Sequence, residues 1–273
     1  MNALQKLQQR YGSGEGRALY ELILSQRFGL SRTDILLGKD TTLSAEKQAE
    51  LQIIVDRVVK GEPVQYVLGC EEFCEHEFLV GPGVLIPRPE TQQLVHLVEQ
   101  NVAPGSTVLD VGTGSGCIAI TLALAGYKVT ALDVSDEALA IAKQNAERLS
   151  AEVEFVKAEI IQCSIFNFQW SALVSNPPYI CESEASAMEA NVLDHEPHLA
   201  LFVPDDDPLL FYRAISEFGR EHLAEEGQIF FEVNRAYAEQ VAELLQQKGY
   251  DKVQVVRDEY DNNRFVWARK IQY

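Results

Sequence analysis

No run of apolar residues in this 273-residue chain reaches the roughly 18 that a membrane-spanning helix needs. The opening MNALQKLQQRYG also lacks the apolar centre of a signal peptide, so a soluble, cytoplasmic protein is expected. Positive charge is scarce too: 23 Lys and Arg stand against 41 Asp and Glu, a formal charge of -18. Direct binding to nucleic acid rests on clustered Lys and Arg that neutralise phosphates, and none is expected here. The acids are spread along the chain rather than gathered in a tail, so the charge reads as a solubility feature. Cysteines are few. Cys70, Cys74, Cys117, Cys163 and Cys181 form no CxxC pair and no His-containing cluster of metal-ligand spacing. They read as reduced, small apolar residues, and no metal site is expected.

What is present is a hydrophobic content of 47%, enough for a sizeable core. Residues 1–62 read as a small helical domain. Leu19, Leu22, Ile23 and Leu24 precede a break at Gly29, and Ser31 with Asp34 opens a short helix. Ser44 caps another, whose stripe of Leu51, Ile54, Val55, Val58 and Val59 runs to Gly61 and Pro63. Residues 63–92 read as a hairpin linker, with strand character over QYVLG and HEFLV and a turn at Gly81, Pro82 and Gly83, leading into PRPET. Over residues 93–273 the strands TVLDV, KVTALDV, VEFV and ALVS alternate with helices. A helix around Leu209–Leu223, the strand QIFFEV, a helix over AYAEQVAELLQQKG and a last hairpin over VQVVRDEYDNNRFVWARK follow. Such alternation specifies an α/β fold with a mostly parallel sheet and helices on both faces, whose ligands sit at the carboxyl ends of the strands.

The segment VLDVGTGSGCIAI sets Gly112, Thr113, Gly114, Ser115 and Gly116 between an apolar strand and an apolar helix, where the backbone can turn tightly and approach a ligand. A dinucleotide fingerprint would need glycine where Cys117 stands. Asp133, at the end of the second strand, is placed to accept hydrogen bonds from ribose hydroxyls. Ribose without pyrophosphate points to S-adenosylmethionine, with Asp110 and the loop amides toward its methionine end. An NAD site and a ligand-free glycine turn are the alternatives. Glu159 and Ile160 follow the third strand, an acid to meet the adenine amino group and an apolar side chain to cover its face. An exposed acid after a strand is otherwise unremarked.

SNPPYI ends the fourth strand, at the crevice beside the glycine loop. A planar amino group is a poor nucleophile because its lone pair is delocalised, so an enzyme that methylates one must hold its two N–H groups with acceptors. The side-chain oxygen of Asn176 and the carbonyl of Pro177 suit that task. Pro177 and Pro178 fix φ and bring no competing donor, and Tyr179 offers a flat face for stacking.

With GTGSG, Asp133 and SNPPYI together, the chain resembles the amino-methyltransferases. GEPVQYVLG, VLIPRPET and EPHLALFVPDDDPLLFYR are similar to the PrmC (HemK) family, the N5-glutamine methyltransferases of peptide chain release factors, over nearly the whole chain. The resemblance implies a class I, Rossmann-like methyltransferase domain with a seven-stranded sheet behind an N-terminal helical domain that helps dock the release factor. It further implies S-adenosylmethionine as cofactor, bound at Gly112–Gly116 and Asp133, and a catalytic Asn176–Tyr179 holding the glutamine of a GGQ loop. A monomer is expected.

Several positions depart from the family pattern: Gln92 replaces an acid, His195 a tyrosine, Asp207-Pro208-Leu209 a DGL, and Asn234 falls within the usual EIG. His195 reads as a packed or exposed substitute rather than a base. Arg88 and Glu90 are expected to shape the loop over the site, plain salt bridging being the alternative. The rival readings are a ribosomal-protein glutamine methyltransferase, a DNA amino-methyltransferase and a non-catalytic translation adaptor.

Overall fold

The computed structural model describes residues 1–162 and 168–271; Cys163 lies outside them. Two compact units divide the described chain: residues 1–70 with 189–195, and residues 71–188 with 196–273.

The first unit is helical, with α1 (Ala3–Tyr11), α2 (Ser13–Phe28), α3 (Arg32–Leu36), α4 (Ala45–Val59) and α5 (Val64–Leu68). Ser31 and Asp34 form a reciprocal capping box on α3, and the Ser44 hydroxyl caps α4. Its core gathers Leu7, Ile23, Leu24, Val55 and Val58, all but inaccessible to solvent. One expectation fails here: QYVLG is helical, not a strand. Pro63 sets the entry, Gly69 closes the turn in the left-handed region, and Val64 and Tyr66 are buried. Five residues are too few for periodicity to separate helix from strand.

The hairpin nevertheless exists, shifted along the chain to β1 (Cys70–Phe73) and β2 (His76–Leu79). It opens the second unit, which continues with α6 (Pro89–Asn101), β3 (Thr107–Val111), α7 (Cys117–Leu124), β4 (Lys128–Asp133), α8 (Asp136–Leu149), β5 (Val153–Lys157), β6 (Trp170–Ser175) and β7 (Ile180–Cys181). A short helix, α9 (Ala190–His195), belongs to the first unit. The chain then returns with α10 (His198–Leu201), β8 (Phe202–Val203), α11 (Leu210–His222), β9 (Leu223–Glu232), α12 (Ala238–Gln247), β10 (Tyr250–Arg257) and β11 (Asn263–Lys270).

Among the described residues, seven strands form one sheet in the order β10-β11-β9-β6-β3-β4-β5. Pairing is parallel from β9 through β5, and β11 is antiparallel to both of its neighbours. This is the expected mostly parallel sheet. Strands β3 and β6 are buried along nearly their whole length, as strands covered on both faces must be. The chain runs outward from β3 through β4 to β5 and then returns to β6 on the other side of β3. The order therefore reverses between β3 and β6, where Asp110 pairs with Val174. A crevice is expected at the carboxyl ends of those two strands.

Candidate active site

A cleft of about 440 Å³ lies there. Residues 111–115 and Asp133, Asn176, Pro177 and Pro178 line it, together with Glu159 and Ile160, so the motifs singled out in the sequence converge on one cavity. A larger open groove, about 1460 Å³, is lined by the amino-terminal residues Thr107, Lys128 and Val153 and by none of those motif residues.

The glycine loop is shaped by conformation on one side and by packing on the other. Gly112 and Gly114 have φ of +77° and +55°, and a Cβ on either would meet only open space. The bare backbone there faces the cavity. Gly116 differs: at φ +82°, a Cβ would come within 2.9 Å of Ile120 Cδ1 and 3.1 Å of Ala142 Cβ, so it permits close packing of α7 on α8. Asp133 Oδ2 accepts from the Gly114 amide at 2.9 Å and Oδ1 from the Ser135 amide at 2.9 Å. The carboxylate thereby ties the loop to the end of β4 and leads the chain into the Ser135-capped helix α8.

Asp110 is wholly buried beneath this loop. Its Oδ2 accepts from the Thr113 hydroxyl at 2.7 Å, while Oδ1 has no hydrogen-bond partner among the described residues. Burial pushes its carboxyl up to about 7, with the Thr113 bond opposing and the nearby Asp133 charge adding. Asp110 is not among the residues that line the cleft; its unmet oxygen beneath the loop, the lining carboxylate of Asp133 and the bare backbone fit a cationic ligand that also carries hydroxyls. Ile160 is buried in the cleft wall and Glu159 is exposed.

At the other end of the cleft, Asn176 Nδ2 donates to Thr91 Oγ1 at 3.2 Å. The Thr91 hydroxyl donates in turn to Glu232 Oε2 at 2.8 Å. Tyr179 donates its hydroxyl to Glu232 Oε1 at 3.1 Å and lies outside the cleft lining, so no stacking face is shown toward the cavity. No described residue donates a hydrogen bond to Asn176 Oδ1. Burial raises both the Glu232 carboxyl and the Tyr179 phenol above their ordinary values.

The loop before α6 is pinned separately. Arg88 pairs with the buried Glu196, whose Oε2 also accepts from the Ile86 amide at 3.1 Å, while Glu90 takes no part in that pair. Arg213 forms a two-pronged bond with Asp207 at 2.8 and 2.7 Å. His195 shares a hydrogen bond with the Asn191 carbonyl in the first compact unit and is not among the residues that line the cleft.

The model described as PrmC N-terminal domain matches residues 1–69, and that described as Methyltransferase small domain matches residues 89–198. A protein of Bacteroides thetaiotaomicron named release factor glutamine methyltransferase is 47% identical over 269 residues, covering 97% of either chain. The chain belongs to the release factor glutamine methyltransferase family. A second member, from Flavobacterium psychrophilum, is 37% identical over 96% of this chain and 95% of its own. A solved methyltransferase of Pyrococcus furiosus, 18% identical, aligns with a TM-score of 0.55 over 84% of this chain and all of its own, and so shares the fold.

Within this family frame, the sequence reading passed over Thr91, Glu196 and Glu232. Thr91 closes PRPET and Glu196 opens EPHLA, both quoted motifs. Glu232 follows the apolar run Ile229, Phe230 and Phe231 at the end of β9 and is buried with it.

Proposed function

We propose that this protein transfers a methyl group to the side-chain amide nitrogen, N5, of the glutamine in the GGQ motif of class I peptide chain release factors. The observation that carries the reading is the orientation of Asn176: its NH2 group is engaged by Thr91, which leaves Oδ1 as an acceptor in a cleft shared with the glycine loop. A primary amide brings two N–H groups, and Asn176 Oδ1 with the Pro177 carbonyl would take one each. Held so, the amide lone pair is aimed rather than made more basic, and positioning supplies most of the rate, an effect worth roughly 7–11 kcal/mol in well-oriented reactions. Tyr179, which does not line the cleft, would brace Glu232 rather than stack on the amide.

S-adenosylmethionine supplies the methyl group when bound. The bare backbone of Gly112–Gly116 would let its amino-acid end approach closely, with Asp110 toward its positive charge, Asp133 at its ribose, and Glu159 and Ile160 at its adenine. Asn176 borders both ligands. No general base is required beforehand, because the alkylated amide sheds its proton readily.

Residues 1–62 would dock the release factor, residues 63–92 link the two parts, and residues 93–273 carry the chemistry, in a cytoplasmic monomer. The test is methyl transfer from labelled S-adenosylmethionine to a class I release factor, to that factor with its GGQ glutamine changed to alanine, and to a large-subunit ribosomal protein in parallel. Label on the unaltered factor alone is expected. Label on the ribosomal protein instead would reassign the partner.

A further inference from the structure

Thr91 has one hydroxyl proton, and the geometry commits it. At 2.8 Å from Glu232 Oε2 the proton is spent on that carboxylate, so toward Asn176 the Thr91 oxygen can only accept. The Asn176 amide must then turn its NH2 toward Thr91, as it does at 3.2 Å. The reversed amide would set Oδ1 against an oxygen with no proton to offer.

Glu232 is the fixed point of this chain of bonds. It is 1% exposed at the end of β9, and Tyr179 donates to its other oxygen. The charged and titratable groups around it are Arg264 from β11, Glu90 from α6, Tyr179 after β6, and Tyr212 from α11, whose hydroxyl donates to the Glu232 backbone carbonyl at 3.2 Å. Arg264 favours the ionised carboxylate, while Glu90 and burial oppose it. Thr91 and Glu232 lie 141 positions apart, yet both are almost wholly shielded from solvent, 3% and 1% exposed. A buried carboxylate accepting two hydroxyl protons, one of them from the group that holds the Asn176 amide, is more than a strand end needs.

We propose that Glu232, acting through Thr91, is a positioning residue that sets which atom of the Asn176 amide faces the substrate: the ionised carboxylate presents Oδ1 as an acceptor. Protonation of Glu232 reverses the direction. Its O–H would donate to Thr91, Thr91 would donate to the Asn176 oxygen, and the amide would turn its NH2 to the cleft, donor against donor. The inference rests on the amide-holding role proposed above. It adds that the acid limb of turnover belongs to Glu232, which touches neither ligand.

The test uses full-length protein, labelled S-adenosylmethionine and an unmodified class I release factor. Rates are read as kcat and KM, cofactor affinity by calorimetry and folding by thermal melting. Thr91→Val keeps the shape and removes the hydroxyl; Thr91→Ser keeps the hydroxyl. Glu232→Gln removes the titration. Thr91→Val and Glu232→Gln should lower kcat by roughly 10- to 100-fold, the range for groups that orient a ligand from behind. KM and the cofactor dissociation constant should stay within about twofold, with Thr91→Ser recovering most of the rate. With cofactor kept saturating at every pH, the wild-type kcat should fall on the acid side, and that limb should vanish in Glu232→Gln.

A wild-type rate in Thr91→Val, a Thr91→Ser as slow as the valine variant, an equal loss of cofactor affinity, or an acid limb that survives in Glu232→Gln would each overturn the relay. If Glu232→Gln does not fold, the valine and serine pair decides alone. Absence of label with wild-type protein would remove the glutamine reading and the relay together; label with wild type and an unaffected Thr91→Val would remove only the relay.

Discussion

The two ends of the cleft are built by different means. One end is a single loop: Gly112 through Gly116 and the acid that closes β4, with bonds made mostly by backbone amides. The other end is assembled from side chains of α6, the turn after β6 and the end of β9, joined through Thr91, Asn176, Tyr179 and Glu232. At the loop end the constraint is the backbone path itself, set by the positive φ of Gly112, Gly114 and Gly116. A side-chain end fails when any one hydroxyl or carboxylate is lost, because the proton directions depend on one another.

The sharpest way to break this comparison is Asn176→Ala. It should lower methyl transfer by about 10²–10³-fold, the cost of losing one aimed polar group, and leave cofactor affinity nearly intact. Equal losses in both would show that the two ends are not separable. Asp133→Ala should do the opposite, weakening cofactor binding by about 1.5–3 kcal/mol in calorimetry, since a charged acceptor is lost. Because Asp133 also holds the Gly114 amide, the loop should loosen as well, read as faster amide exchange over residues 112–116.

A smaller effect concerns pH. The buried Asp110 carboxyl has its pKa raised to about 7, so the folded chain holds this proton more tightly than the unfolded chain does. Its contribution to stability is therefore present in acid and lost as pH rises through about 7 in the cofactor-free protein. A cationic ligand prefers the ionised form, so cofactor affinity should fall by up to about tenfold for each pH unit below 7. Asp110→Asn should flatten both profiles. An unchanged pH dependence in that variant would assign the titration elsewhere.

The smallest effect is expected at Asn234. Its Nδ2 donates to the Tyr179 carbonyl at 3.2 Å and to Glu184 Oε2 at 3.2 Å, bracing the segment after the double proline. Asn234→Ala should cost about 1 kcal/mol and lower the melting temperature by about 2–4 °C. The departure from the family pattern at this position is thus occupied by a residue with a bracing role.

The same contrast explains how much could be read before the structure. The alternation of strands and helices, the glycine loop and Asp133 are local patterns, each written within one stretch of chain. Asn176 was legible because two prolines mark it. Thr91 and Glu232 were not, since each looks ordinary alone and their meaning lies in a contact across 141 positions. The same holds for Arg88, whose partner is Glu196 rather than a neighbour in PRPET. QYVLG misled for another reason: Tyr66 and Val67 favour strands, and a proline entry with a glycine exit on a five-residue helix overrode that preference.

The first compact unit is not contiguous in sequence, since residues 189–195 belong with residues 1–70. During synthesis the amino-terminal helices leave the ribosome well before that last piece exists. By the time it is made, β6 and the NPPY turn have already been translated. The unit's completion is therefore ordered in time behind the strand that carries Asn176, and a fragment that stops at Cys70 would never contain all of it.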